Sequence, residues 1–246
     1  MELLPYGESV LLMRWKGAGA APDPDIVEEV DVWARRIRAA AIPGVQQVFP
    51  AFDSLAVLYD PLRLSFAQLA ERIRRLDGQW LPEDGAGGPL LVVPVVYGGS
   101  YGPDLPSVAH ILGLTEEEVV QLHTGKPYKV WMIGFLAGFP YAGELDERLV
   151  LPRKATPTLT VRPGSVAIAG NMTGIYPLAS PGGWHVIGWT PWTIFDLRRQ
   201  PPTLFQAGLR IRFRAIPEAE IDRHGTGPLG TGIDDHQRGP MDASIQ

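Results

Sequence analysis

The 246-residue chain contains no cysteine. That excludes a disulfide framework, thiolate catalysis, Cys-ligated zinc and iron–sulfur clusters. Asparagine occurs once, at Asn171; scarcity of these two heat-labile residues is a trait of thermophile proteins, and genomic base composition gives the same bias. The longest apolar run, Val130 to Phe139, falls far short of the roughly 20 residues needed to cross a bilayer. The opening residues Met1-Glu2-Leu3-Leu4-Pro5 lack a basic n-region, so no secretory signal is read there. Positive charge is scarce as well. Lys and Arg number 22 against 27 Asp and Glu, a net charge of −5 that argues against a nucleic-acid partner. The expectation is a cytoplasmic protein with neither membrane nor nucleic acid as a partner. There is no internal repeat and no G-x-x-x-x-G-K-[ST] phosphate loop. The histidines (His110, His123, His185, His224 and His236) show no metal-ligand spacing, so no metal is expected.

Glycine and proline are abundant, at 28 and 24 residues, well above the usual ~12% combined. That excess argues for many turns joining short strands rather than for a helical bundle. With 45% hydrophobic and 20% charged residues, the composition is that of a folded chain with a real core.

Residues 1–88 read as an α+β unit. Ser9 to Trp15 is a strand candidate, followed by a Gly17–Gly19 break. Asp23-Pro24-Asp25 opens a helix whose apolar face is Ile26, Val30, Trp33, Ile37 and Ala41. Val45–Phe49 and Ser54–Tyr59 are short β runs. Ser65 caps a second helix carrying Phe66, Leu69, Ile73 and Leu76. With the β run Leu90–Tyr97 the order becomes β-α-β-β-α-β, that of a ferredoxin-like unit. Glu83 to Pro89 is the linker candidate, and the strand after it either closes the first unit or opens the second. Residues 89–216 then read as a mainly β barrel or sandwich. Its β runs are Tyr128–Phe135, Thr158–Val161, Val166–Ala169, Trp184–Gly188, Thr193–Phe195 and Leu209–Phe213, and a helical hairpin interrupts it at 104–124. Residues 217–246, polar and glycine-rich, read as a flexible tail.

Two motifs imitate other functions. Gly98-Gly99-Ser100-Tyr101-Gly102 matches a nucleophile elbow, but Pro103-Asp104 stands where the helix after the serine should begin. Leu105 to Gly125 imitates a helix-turn-helix, yet its second helix offers Glu116, Glu117 and Glu118 to phosphates. A hairpin with N-caps at Asp104 and Thr115 is the simpler account. His123 falls in the last turn of that hairpin, where structural capping and a site role stand about level. The richest stretch is Val130 to Trp192. Gly134 to Gly143 interleaves glycines with aromatic rings. Gly170-Asn171-Met172-Thr173-Gly174 forms a small-residue loop whose N–H groups are a candidate anion nest, with Asn171 suited to left-handed geometry. Tight barrel turns are the plainer reading of the same residues.

An ordered series of short stretches runs through this region. It comprises Tyr97-Gly98-Gly99 with Gly102-Pro103-Asp104-Leu105, Leu122-His123, Met132-x-Gly134-Phe135 and Gly138-Phe139-Pro140-Tyr141. Pro152-Arg153, Thr156-Pro157, Gly164-Ser165-Val166 and Ile168-Ala169-Gly170 follow. Thr173-Gly174-Ile175-Tyr176-Pro177, Ser180-Pro181-Gly182-Gly183-Trp184 and Gly188-x-Thr190-Pro191 complete it. In this series the chain resembles the KipI/allophanate hydrolase subunit 1 family. The resemblance implies a small N-terminal α+β domain followed by a cyclophilin-like barrel. It also implies an ATP-dependent 5-oxoprolinase complex, in which a homologous C subunit and an A subunit join this one to open 5-oxoproline to glutamate. ATP is the co-substrate of that complex. Other members inhibit a sporulation sensor histidine kinase or belong to allophanate hydrolase and urea carboxylase systems. The chain departs from the pattern at Ala137, Asn171, Met172 and Thr158, the last removing a common arginine. The expected substrate site is lined by His123, Phe139, Pro140, Arg153, Gly170, Asn171, Thr173, Gly174, Tyr176 and Ser180. Arg153, His123 and the Gly170–Gly174 amides are its anion-stabilising groups. No catalytic residue is assigned, and the isolated chain is expected to be inactive.

Overall fold

A computed structural model describes residues 1–15, 22–78, 90–225 and 227. The Gly17–Gly19 break, the Glu83–Pro89 linker candidate and the end of the expected tail lie outside the described residues.

The N-terminal unit begins with a hairpin of β1 (Glu2–Tyr6) and β2 (Val10–Arg14), followed by α1 (Pro24–Ala39), β3 (Val45–Pro50), β4 (Ser54–Tyr59) and α2 (Phe66–Arg74). Both helices start where the sequence places caps. The Asp23 carboxylate accepts from the Asp25 N–H with Pro24 in the first turn, and Ser65 forms a reciprocal capping box with Gln68. The antiparallel sheet has the order β1-β2-β4-β3. Here the structure corrects the ferredoxin-like order. The edge beside β2 is filled by Glu2–Tyr6 from the chain's start, and not by Leu90–Tyr97. One face of this sheet and the two helices enclose a core of Leu11, Met13, Leu55, Val57, Trp33, Ile37, Leu69 and Ile73.

The run β5 (Leu90–Tyr97) instead opens a closed barrel. After it come α3 (Leu105–Leu112), α4 (Glu116–Thr124), β6 (Tyr128–Ile133), β7 (Pro140–Gly143), β8 (Thr158–Val161), β9 (Ser165–Ala169), β10 (Met172–Ile175), β11 (Ser180–Gly182), β12 (His185–Trp189) and β13 (Arg210–Ala215). Seven of these strands close in the order β10-β7-β6-β13-β5-β12-β9, while β8 and β11 form a separate two-stranded sheet. All barrel pairs are antiparallel except β13 with β5. The mixed α/β chain with a closed seven-stranded barrel matches the architecture expected of a cyclophilin-like domain. Side chains alternate with the strand period of two. Val93 and Val95, Val166 and Ile168, and Ile211 and Phe213 fill the interior, while Arg210, Arg212 and Arg214 alternate outward.

Strands β1, β7, β10 and β11 are not among the runs expected from sequence, because each is short and interrupted by glycine or proline. Conversely, Thr193–Phe195 makes only one isolated bridge, Phe195 to Thr203. Asp104 occupies the N-cap position of α3 but caps nothing. Its carboxylate accepts instead from Lys154 Nζ and from the Val186 N–H, each at 2.7 Å. Beyond Pro217, where the sequence reads as a tail, Glu218–His224 forms a 3-10 helix tied to the barrel by the Tyr101 hydroxyl, which donates to Glu218 Oε1 at 2.8 Å.

The two units meet along the outward edge of α1. Val27 joins a hydrophobic cluster on the barrel's outer wall. Lys129 on β6 bonds both Glu28 at 2.6 Å and Asp31 at 2.8 Å. Phe52, in the β3–β4 turn, sets its ring edge-on to Tyr141 (5.4 Å between centroids) and Trp131 (6.3 Å).

Candidate functional site

The interleaved glycines and rings build one object, a wall of aromatic side chains on the outside of the barrel. Three of the rings press against a glycine of another segment. A Cβ added at Gly143 would stand 2.2 Å from the Trp131 ring. At Gly174 it would stand 2.7 Å from Phe139, and at Gly182 2.2 Å from the Tyr176 hydroxyl. These positions take glycine because a ring occupies the place of a side chain. The wall continues through close ring pairs: Phe139 lies 4.8 Å from Tyr141, 5.2 Å from Tyr176 and 5.5 Å from Trp184. Phe135 caps it from the β6–β7 loop, edge-on to Phe139 and Tyr176. That residue holds φ at 62° while its side chain is 60% exposed. A positive φ is uncommon for a bulky residue and is often found at binding surfaces.

Arg153 supplies the charge. It is exposed and makes no ion pair among the described residues. Its position is fixed by its neighbour. The Lys154 N–H donates to Gly183 O at 2.8 Å, and Lys154 Nζ bonds both Asp104 and Thr158 at 2.7 Å. Burial raises the Tyr141 and Tyr176 phenols, and the Arg153 charge lowers both in part. The Ser180 hydroxyl, on β11, is buried without a hydrogen-bond partner among the described residues. Phe139 and Tyr176 are 1% exposed and Trp184 4%, so the wall is packed into the protein and Phe135, at 60%, is its exposed ring.

The ten expected site residues do not form one cluster. Phe139, Pro140, Gly174 and Tyr176 belong to the wall, and Arg153 stands beside it. His123 and Thr173 do not. They lie inside the barrel, each 0% exposed. Thr173 Oγ1 donates to Ala167 O at 3.2 Å, so it accepts from His123 Nε2–H at 2.8 Å, and Nδ1 accepts from the Tyr97 hydroxyl at 2.7 Å. The imidazole stacks on Phe213 with centroids 4.4 Å apart. Desolvation pushes its pKa down to about 3. His123 is therefore a neutral, fully satisfied core residue and supplies no cation to an anion site.

The nest expected at Gly170–Gly174 is also corrected. Ala169 pairs with Met172, so Gly170 and Asn171 are a two-residue hairpin loop. The positive φ falls on Gly170, at 57°, and not on Asn171, as a type II′ turn requires. The Gly170 N–H is used by Leu151 O at 2.7 Å, and residues 172–174 are paired in the barrel ladder. Asn171 faces the N-terminal unit, its Nδ2 reaching Pro22 O at 3.5 Å. The elbow-like serine, Ser100, is exposed on a turn against a barrel and not on a parallel α/β sheet. Sequence reasoning missed Phe52 and Lys154 as parts of the site. Phe52 lies in a distant unit, and Lys154 resembles any surface lysine until Asp104 is found beside it.

The fold and wall define a two-part protein, an α/β unit fused to a closed barrel with an external aromatic face. The chain belongs to the carboxyltransferase domain family, subdomain C and D, which it matches over residues 1–205. It is similar to the B subunit of 5-oxoprolinase from Escherichia coli O157:H7, with 41% identity over 202 residues covering 81% of this chain and 90% of that one. It is also similar to the B subunit of 5-oxoprolinase from Bacillus subtilis (strain 168), at 36% over 224 residues, 87% and 92% of the two chains. Among solved structures, TTHA0988 superposes with a TM-score of 0.71 at 36% identity, over 85% of this chain but only 40% of that longer one. The urea amidolyase of K. lactis shares the fold at 16% identity, with a TM-score of 0.67 over 90% of this chain and 15% of that one.

Proposed function

We propose that this chain is the B-type subunit of an ATP-dependent 5-oxoprolinase system, inactive alone and active with an A and a C subunit. The observation that carries this reading is the 36–41% identity to B subunits of 5-oxoprolinase across nine-tenths or more of their length. The wall geometry supports it. 5-Oxoproline is a five-membered lactam bearing one carboxylate; Phe139 and Tyr176 are 1% exposed, so the ring open to it is Phe135, at 60%, and the exposed Arg153 would hold the carboxylate. The lactam carbonyl is left facing outward for activation by ATP, whose site is not assigned to this chain. In this reading the subunit binds and orients, and its partners complete the chemistry.

Glutamate release from 5-oxoproline and ATP tests the reading. The three-subunit mixture is expected to release glutamate and the isolated chain none. Release by this chain alone, or none by the full mixture, refutes it. Arg153→Ala is expected to leave Tm unchanged, because an exposed unpaired cation adds little stability. It is expected to lower kcat/KM of the complex at least tenfold, about 1.4 kcal/mol of lost transition-state stabilisation. Unchanged activity removes Arg153 from the site.

A further inference from the structure

The N-terminal sheet carries apolar side chains on both faces. Cross-strand register assigns them. The rows Leu3–Met13–Leu55–Pro50 and Pro5–Leu11–Val57–Val48 point toward α1 and α2. On the opposite face the row Leu4–Leu12–Ala56–Phe49 runs unbroken across all four strands, and Tyr6–Val10–Leu58 runs across three before ending at Gln47. Polar residues there are confined to the margin, where Arg14 bonds Glu2 at 3.1 Å. An antiparallel sheet with one free face ordinarily turns polar residues outward. Here seven apolar side chains share that face. None of them packs on a hydrophobic cluster among the described residues, and Tyr6 and Phe49 are 69% and 51% exposed. The barrel does not cover it, since contact with the barrel runs through α1 and Phe52.

We propose that this free face of the β1-β2-β4-β3 sheet is the docking surface for a second protein chain, one that carries the rest of a carboxyltransferase domain. Three observations select that occupant. The family to which the chain belongs comprises only subdomains C and D of its domain, so further subdomains are supplied elsewhere. In TTHA0988 the unit occupies 40% of a longer chain, so more polypeptide than the unit itself is joined to it. Self-pairing is disfavoured by size. Four strands about 4.8 Å apart and five residues long present a footprint of about 300 Å², against ~800 Å² per partner in a stable specific interface. Two flat sheets face to face touch over little more than that footprint, whereas a larger partner extends past the sheet edge. The partner's identity rests on the reading given under Proposed function; the apolar face does not.

The experiment measures binding of the purified C subunit to the full chain by calorimetry. Phe49→Glu and Tyr6→Glu are compared with Leu159→Glu, which alters an 86% exposed leucine on the small β8–β11 sheet. All three are surface positions, and an unchanged Tm verifies folding. The two sheet variants are expected to weaken binding at least thirtyfold each and the Leu159 variant less than threefold. Equal affinity for all variants overturns the proposal, as does failure of the C subunit to bind the unaltered chain. A homodimer that Phe49→Glu converts to monomer overturns it as well, by naming a different occupant. A complex that forms, is broken by the sheet variants and opens no 5-oxoproline supports the docking surface while refuting the activity.

Discussion

His123 gives the sharpest test of the barrel interior. Its ring is wholly buried and neutral, with a pKa of about 3, whereas an unfolded chain titrates near 6.5. The folded pKa is lowered, so below pH ~6.5 the unfolded chain binds a proton that the native state refuses. Stability is therefore complete above the unfolded pKa and falls as pH drops toward 3, at up to about 1.4 kcal/mol per pH unit. Between pH 7 and pH 5 the loss from this one residue is about 2 kcal/mol. Glutamine at this position keeps one acceptor and one donor but cannot titrate. His123→Gln is expected to be less stable at pH 7 by about 1–3 kcal/mol, because it forfeits the stack on Phe213 and fits the Tyr97–Thr173 gap imperfectly. Its stability should then fall about 2 kcal/mol less between pH 7 and pH 5 than that of the unaltered chain. Urea titrations at pH 7, 6 and 5 measure both slopes. The carboxylates held below their usual range, Glu118, Asp146 and Asp196, titrate below this window and are common to both proteins. Parallel slopes, or a His123 imidazole resonance that titrates near pH 6.5, refute the neutral buried ring.

Two further substitutions test how the wall is built. Gly174→Ala places a methyl group 2.7 Å from the Phe139 ring and 2.8 Å from Pro140 O. One of those contacts is rigid backbone, so thermal unfolding should show a loss of about 2–3 kcal/mol and the reconstituted complex should lose activity with it. Lys154→Met removes the partner of the Asp104 carboxylate, with side chains only 16% and 23% exposed. A cost of about 2–4 kcal/mol is expected, largely recovered in the double variant with Asp104→Asn, and a double-mutant cycle in urea checks it.

The helices and the alternating runs were legible from local chemistry. Ser65 with Gln68 and Thr115 with Glu118 close capping boxes, and the 3–4-residue apolar spacing of α1 and α2 holds. Strand partners were not legible. Glu2–Tyr6, short and broken by Pro5, fills the edge of the first sheet, whereas Leu90–Tyr97, with the stronger β character, pairs in the barrel; local character did not decide the partner. At the site, rings and glycines were readable as a group, but their mutual stacking was not, because Trp131 meets Gly143 and Tyr176 meets Gly182 across different segments. Polar residues in the same motifs misled for a definite reason. A hydroxyl or imidazole near a ring wall in sequence reads as a ligand-binding group, and only the strand period decides which side of the barrel receives it.

That period explains how one short motif serves two purposes. In Met172-Thr173-Gly174-Ile175-Tyr176, residues 172, 174 and 176 face the outer wall, while 173 and 175 face the core. Thr173 bonds His123 inside, and Gly174, next in sequence, admits the Phe139 ring outside. Both lie on the paired backbone of β10. Exchanges at odd positions therefore cost interior hydrogen bonding and packing. Exchanges at even positions cost the packing of the ring cluster, in which Met172 and Tyr176 are themselves buried, so both faces of the strand contribute to stability.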